Sequence, residues 1–101
     1  MVHENWRFRE YYRVAAQWIA SGRIGEVVQG QMELFSSGLV PDAEGRLPAL
    51  ERQPFIGTLD RALVMEILIH HIDTLRFLLG DLSLAWSTCG RRSDAMRGED
   101  Y

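Results

Sequence analysis

The sequence of 101 residues contains no lysine, a single cysteine and no long apolar run. Because all eleven basic residues are arginine, the chain alone cannot complete a mechanism that needs a lysine, such as a Schiff base or a P-loop phosphate clamp. It also lacks the Gly-x-Gly-x-x-Gly fingerprint of a dinucleotide-binding fold. These absences exclude a complete nucleotide-dependent enzyme with its own cofactor domain.

The scarcity of cysteine, of long apolar segments and of positive charge predicts where the protein is located and what it binds. The lone Cys89 cannot form an internal disulfide, which favours a reducing cytoplasm. No basic-then-apolar signal opens the chain, and no apolar run reaches the roughly 18 residues of a membrane span, so we expect neither secretion nor a membrane partner. The net charge of −3 argues against nucleic-acid binding, which depends on neutralising phosphates.

What is present is typical of a globular chain. The sequence is 47% hydrophobic and 25% charged, which excludes a disordered or fibrous protein. A chain of about 100 residues supports one core and little more, so we expect a single domain over residues 1–101. Within it, residues 36–59 contain all three prolines and are predicted to be a long loop, and residues 91–101 are predicted to be a polar, frayed tail.

Hydrophobic periodicity predicts two main helices. Tyr11, Val14, Ala15 and Trp18 recur at helical spacing, and Gly22 suits a left-handed cap after them. The segment 61–79 is apolar on nearly every side, which predicts a buried helix that ends at glycine 80.

Alternating apolar and polar residues predict strands in the segments 25–35 and 82–88, and residues 1–5 are a possible third strand. Two strands do not make a stable sheet by themselves. We therefore expect an α+β fold, with a partial, mostly antiparallel sheet and two main helices, that is completed by association with another subunit or by the rest of a larger sheet.

The apolar helix carries one polar stripe. At about 100° per residue, Glu66, His70 and Asp73 fall within an arc of roughly 60°, whereas His71 points elsewhere. Burying unpaired ionisable groups costs several kcal/mol each, so these side chains are expected to pair, to bind a ligand or to line a cleft. Three interpretations of this polar stripe stay open. The histidine exchanges a proton with a substrate hydroxyl, the stripe is a structural salt bridge or faces solvent, or the three side chains bind a metal ion.

Weaker candidates lie outside this stripe. Arg52 and Arg61 flank the helix entry and are either a clamp for an anion or polyol or ordinary surface arginines. Asn5 and Arg7 are polar groups next to a predicted strand end, with a structural role as the alternative.

Two separated motifs carry a resemblance to a known family. The segments His3–Phe8 (HENWRF) and Ser21–Val27 (SGRIGEV) resemble the start of the C-terminal domain of the Gfo/Idh/MocA oxidoreductases, and Glu66–Gly80 resembles that family's signature helix. The resemblance runs from about residue 2 to residue 86. This sequence departs from the family pattern at Glu66, where many members have Asp, and at Leu68, where many have Gly.

The resemblance implies an NAD- or NADP-dependent oxidoreductase that acts on sugars or polyols. It implies that His70 contacts the reacting hydroxyl, that Glu66 is the acid one turn before it, and that Asp73 is the following substrate-binding acid. The family's Rossmann domain, its catalytic lysine and its later strands are absent from this chain. We therefore expect the chain to bind substrate but to be inactive alone, with no cofactor bound, and to form a homodimer or higher homo-oligomer; the alternative function is a non-catalytic interaction module.

Overall fold

The computed structural model describes residues 4–101, and the chain divides into two compact units. The first unit contains the described residues 4–32 and 68–85, and the second contains residues 33–67 and 86–101. The possible strand at residues 1–5 falls largely on residues 1–3, which lie outside the described part of the chain.

Helix α1 of the first unit spans Glu10–Ala20 and confirms the predicted first helix. Its end is a Schellman motif, in which the Arg23 amide donates to the Trp18 carbonyl at 3.0 Å and the Gly22 amide donates to the Ile19 carbonyl at 3.1 Å. Gly22 has a φ of +69°, which only glycine adopts at little cost. The sequence therefore encodes both the apolar face and the end of α1.

Helix α3 spans Ile69–Leu79 and ends at Gly80 as predicted, but it begins later than the predicted segment 61–79, which also contains a π-helical turn at Val64–Leu68. It packs against α1 and against a short 3₁₀ turn at Trp6–Phe8. Its predicted burial is wrong: among its described residues only His71 and Thr74 are buried, and Ile72 keeps 46% of its surface exposed. Two short neighbours cover only part of a helix that is apolar on nearly every side.

Helices α1 and α3 have 11 residues each, whereas a membrane span takes about 20. No helix among residues 4–101 is long and apolar enough to cross a bilayer.

The second unit is built from short helical turns and a folded C-terminal loop. Helix α2 spans Pro48–Arg52, a 3₁₀ turn follows at Pro54–Thr58, and a π-helical turn covers Val64–Leu68 at the boundary with the first unit. The segment expected to be a loop thus contains two helical turns. In the C-terminal segment, Met96 is only 3% exposed.

The predicted antiparallel sheet is absent: residues 4–101 contain no β-strand. The alternating segments 25–35 and 82–88 run as irregular chain, with Val28 91% exposed and Leu84 81% exposed. Alternation specifies which side chains share a face, but a strand exists only when its backbone amides and carbonyls pair with a neighbouring strand. The predicted α+β fold class is therefore wrong, because the regular structure of residues 4–101 is helical.

Candidate functional site

His70, on the first turn of α3, is held by two residues from the N-terminal segment. Its Nδ1 lies 2.7 Å from Oε2 of Glu4, and its ring stacks on Trp6 with centroids 4.7 Å apart and an interplanar angle of 5°. The side chains of His70 and Glu4 are 23% and 14% exposed. The imidazole is therefore oriented by one ion pair and one aromatic face while part of it still reaches solvent.

Trp6 is the centre of this arrangement. Besides His70, its ring contacts His71 at 5.3 Å with a tilt of 53°, and the Arg9 guanidinium lies 4.6 Å from its centroid. His71 is 8% exposed, so the histidine that was expected to point elsewhere also packs on the tryptophan. The 3₁₀ turn at Trp6–Phe8 is thus attached to α3 through aromatic contacts.

A second ion pair fixes the same turn to α3. The Arg7 guanidinium donates from Nε to Oδ2 of Asp73 at 2.7 Å and from Nη2 to Oδ1, so the pair is bidentate. The Arg7 guanidinium also lies 5.6 Å from the Phe77 ring centroid. The hydrogen bond to Asp73, with the charges of Asp73 and Glu4, raises the pKa of Arg7 against a smaller opposing effect of burial.

The contact with Glu4 bears on which ring nitrogen of His70 carries a proton and which can accept one. A carboxylate oxygen only accepts hydrogen bonds, so a hydrogen bond at this contact requires the proton to be on Nδ1 of His70. In the neutral ring, Nε2 is then the unprotonated nitrogen. A half-buried imidazole with this tautomer can take a proton from a hydroxyl group and return it.

Four of the seven predicted site residues belong to the first unit. His70, Asp73, Arg7 and Asn5 all belong to the first unit, where Asn5 is exposed and Asp73 is paired with Arg7. The other three predicted residues belong to the second unit: Glu66, which is half-buried, and the exposed Arg52 and Arg61. The acid paired with His70 is Glu4 rather than Glu66.

Two features account for the difference between the predicted polar stripe and the observed partner of His70. The pattern assumed about 100° per residue throughout, but Glu66 lies in the π-helical turn Val64–Leu68, which has a wider helical period. Glu4 was missed because it is 66 residues from its partner. The one sequence signal for Glu4 was its place in the Glu4-Asn5-Trp6-Arg7 motif. From this motif, only Asn5 and Arg7 were predicted as site residues.

The metal interpretation required Glu66, His70 and Asp73 to share one ion. Within the described residues 4–101, no group of three or more histidine, cysteine, aspartate or glutamate side chains is placed to hold a metal ion. Asp73 is committed to Arg7 and His70 to Glu4.

The first unit also carries two open grooves, neither of which is lined by His70 or Asp73. One of about 420 Å³ lies between the chain at Gly25–Gly30 and the ends of the two helices at Ile19 and Leu79. The other, of about 450 Å³, follows the apolar face of α1. Its lining residues are Glu10, Tyr11, Val14, Ala15 and Trp18.

The chain is similar over nearly its whole length to two curated proteins. It is 30% identical over 100 residues to a protein named D-apiose dehydrogenase from Rhizobium rhizogenes, an alignment that covers 99% of this chain and 26% of that protein. It is 28% identical over 100 residues to a protein of the same name from Paraburkholderia graminis, covering 99% of this chain and 24% of that protein. The chain thus spans about a quarter of the length of these relatives. No family model matches it, and no solved structure matches it.

Proposed function

We propose that this chain is the substrate-binding part of a longer NAD- or NADP-dependent oxidoreductase of the Gfo/Idh/MocA type that acts on a sugar or polyol. The observation that carries the proposal is the similarity of 99% of the chain to two proteins named D-apiose dehydrogenase. It agrees with the two sequence motifs that resemble the family. A branched pentose such as D-apiose is the first substrate to test.

Within this proposal, His70 exchanges the proton of the substrate hydroxyl. Its Nδ1 is occupied by Glu4 at 2.7 Å, so Nε2 is the nitrogen that would meet the substrate. Glu66 is retained as a proposed catalytic acid. The proposed substrate-binding residues are Asp73, Asn5, Arg7, Arg52 and Arg61.

The nicotinamide cofactor would supply the hydride chemistry of such an enzyme. The described residues do not fit a dinucleotide, because residues 4–101 contain no strand and hence no βαβ unit. We assign no cofactor-binding residue here and propose that other parts of a longer protein hold the cofactor.

A calorimetric titration of the chain with D-apiose tests the proposal. We expect saturable binding, and we expect H70A to weaken it about tenfold, the equivalent of about 1.4 kcal/mol for a lost hydrogen bond. With NAD or NADP also present, we expect no reduction of the nicotinamide by the chain alone.

The matched control is E44Q, which removes a charge from an ion pair with Arg46 in the second unit. We expect E44Q to bind D-apiose like the unaltered chain. Absence of D-apiose binding, or equal affinity in H70A, would contradict the proposal.

The exposed apolar face of α1 favours a second candidate, a homo-oligomeric interaction module. Tyr11 is 57% and Trp18 is 42% exposed along the groove on this helix, and contiguous exposed apolar surface marks interaction sites. We propose that a second copy of the chain covers this face.

Size-exclusion chromatography with light scattering tests the oligomer. We expect a mass at least twice 11.6 kDa, and we expect A15E to dissociate the assembly because it places a charge in the apolar groove. The control Q17E adds the same charge at an exposed position of α1 and should leave the mass unchanged. A monomer at all concentrations would refute this candidate.

A further inference from the structure

Glu4 and His70 form a carboxylate–imidazole pair that no sequence pattern indicated. Oε2 of Glu4 lies 2.7 Å from Nδ1 of His70, and the two side chains are only 14% and 23% exposed. A hydrogen bond between partly buried charged or polar groups is stronger than the same bond in water. The pair joins the N-terminal segment to the first turn of α3 within the first unit.

Trp6 restricts the ring that Glu4 binds. The indole and imidazole planes are nearly parallel, at 5°, with centroids 4.7 Å apart. Stacking fixes the plane of the imidazole, and the bond to Glu4 fixes its rotation within that plane. The two contacts together define both the direction of Nε2 and the nitrogen that carries the proton.

We infer that Glu4 is a positioning residue that holds neutral His70 in the Nδ1–H tautomer and so makes Nε2 its proton-accepting atom. The acid does not touch the substrate in this account; it acts through the imidazole. For a hydroxyl substrate, the O–H bond breaks, its proton moves to Nε2 and its electron pair stays on the substrate oxygen. The products are an alkoxide and an imidazolium whose charge faces the Glu4 carboxylate. That last step rests on the proposed function, whereas the tautomer does not.

The test is a long-range ¹H–¹⁵N spectrum of the histidine rings of the whole chain at alkaline pH, where histidine is neutral. We expect Nδ1 of His70 to resonate as a protonated nitrogen and Nε2 as an unprotonated one. An Nε2–H tautomer in the unaltered chain would overturn the inference, and this spectrum requires no variant.

Two substitutions separate positioning from a purely structural contact. E4A removes the acceptor, so we expect loss of most of the Nδ1–H form. E4Q keeps an amide oxygen at the same distance along the side chain, so we expect it to restore the Nδ1–H form of His70. The control E44A in the second unit should leave the tautomer of His70 unchanged. A folded E4A chain with the Nδ1–H tautomer intact would overturn the inference. Failure of D-apiose to bind would refute the proposed function and leave the tautomer result standing.

Discussion

Replacing Trp6 with alanine is expected to lower the free energy of opening of α3 by about 2–3 kcal/mol. Complete burial of a tryptophan gives a loss of about 3–5 kcal/mol on truncation, and Trp6 is half-buried. The substitution removes the stack on His70, the tilted contact with His71 and the cation–π contact with Arg9. Native-state hydrogen exchange of the α3 amides measures the change.

The matched control is W86A, because Trp86 is 77% exposed. An exposed substitution of this kind changes stability by no more than about 0.5 kcal/mol. Unchanged protection of α3 in W6A would show that the contacts of Trp6 do not stabilise the helix. It would also contradict the role of Trp6 in orienting the His70 ring.

Replacing Gly98 with alanine is expected to detach the C-terminal loop of the second unit. A Cβ at this position would lie 2.5 Å from the Leu59 carbonyl oxygen and 2.6 Å from the Asp60 carbonyl carbon. These are backbone atoms that cannot rotate away. We expect a loss of about 3 kcal/mol, at the upper end of the usual range for overpacking.

The loss would be visible at the contacts that close this loop. The Arg97 amide donates to the Gly57 carbonyl at 2.9 Å, and the Val64 amide donates to Oε1 of Glu99 at 3.2 Å. Both amides should lose protection from hydrogen exchange in G98A. The control G30A places its Cβ 3.4 Å from a flexible Leu79 methyl group, an ordinary contact, so equal protection losses in the two variants would contradict the prediction.

The sequence predicted those parts of the fold that depend on neighbouring residues. Helix α1 follows from its apolar spacing and from Gly22, because a Schellman motif needs only the last helical turn and the next two residues. Gly80 ends α3 for a similarly local reason. The alternating segments 25–35 and 82–88, in contrast, form no strand in the described part of the chain, and no local pattern reveals whether a pairing segment exists.

In the candidate site, too, local spacing predicted some residues, whereas contacts between distant parts of the chain were not predicted. His70 and Asp73 were predicted from their spacing on one helix, and each lies on α3 in an ion pair with a residue of the N-terminal segment. Glu4 and the π-helical turn at Val64–Leu68 were not predicted, since one depends on a contact across 66 residues and the other on a local change of helical period. The periodicity of a sequence relates residues a few positions apart, so it carries no information about partners that are distant along the chain.

The central proposal is that the His70 ring, oriented by Glu4 and Trp6, meets a sugar hydroxyl through Nε2. The most direct measurement is the histidine-ring spectrum of the chain recorded with and without D-apiose. The account predicts that the Nε2 and Cε1–H resonances of His70 shift in a saturable way while those of the buried His71 move less. Saturable binding of D-apiose that leaves every His70 resonance unchanged would contradict it.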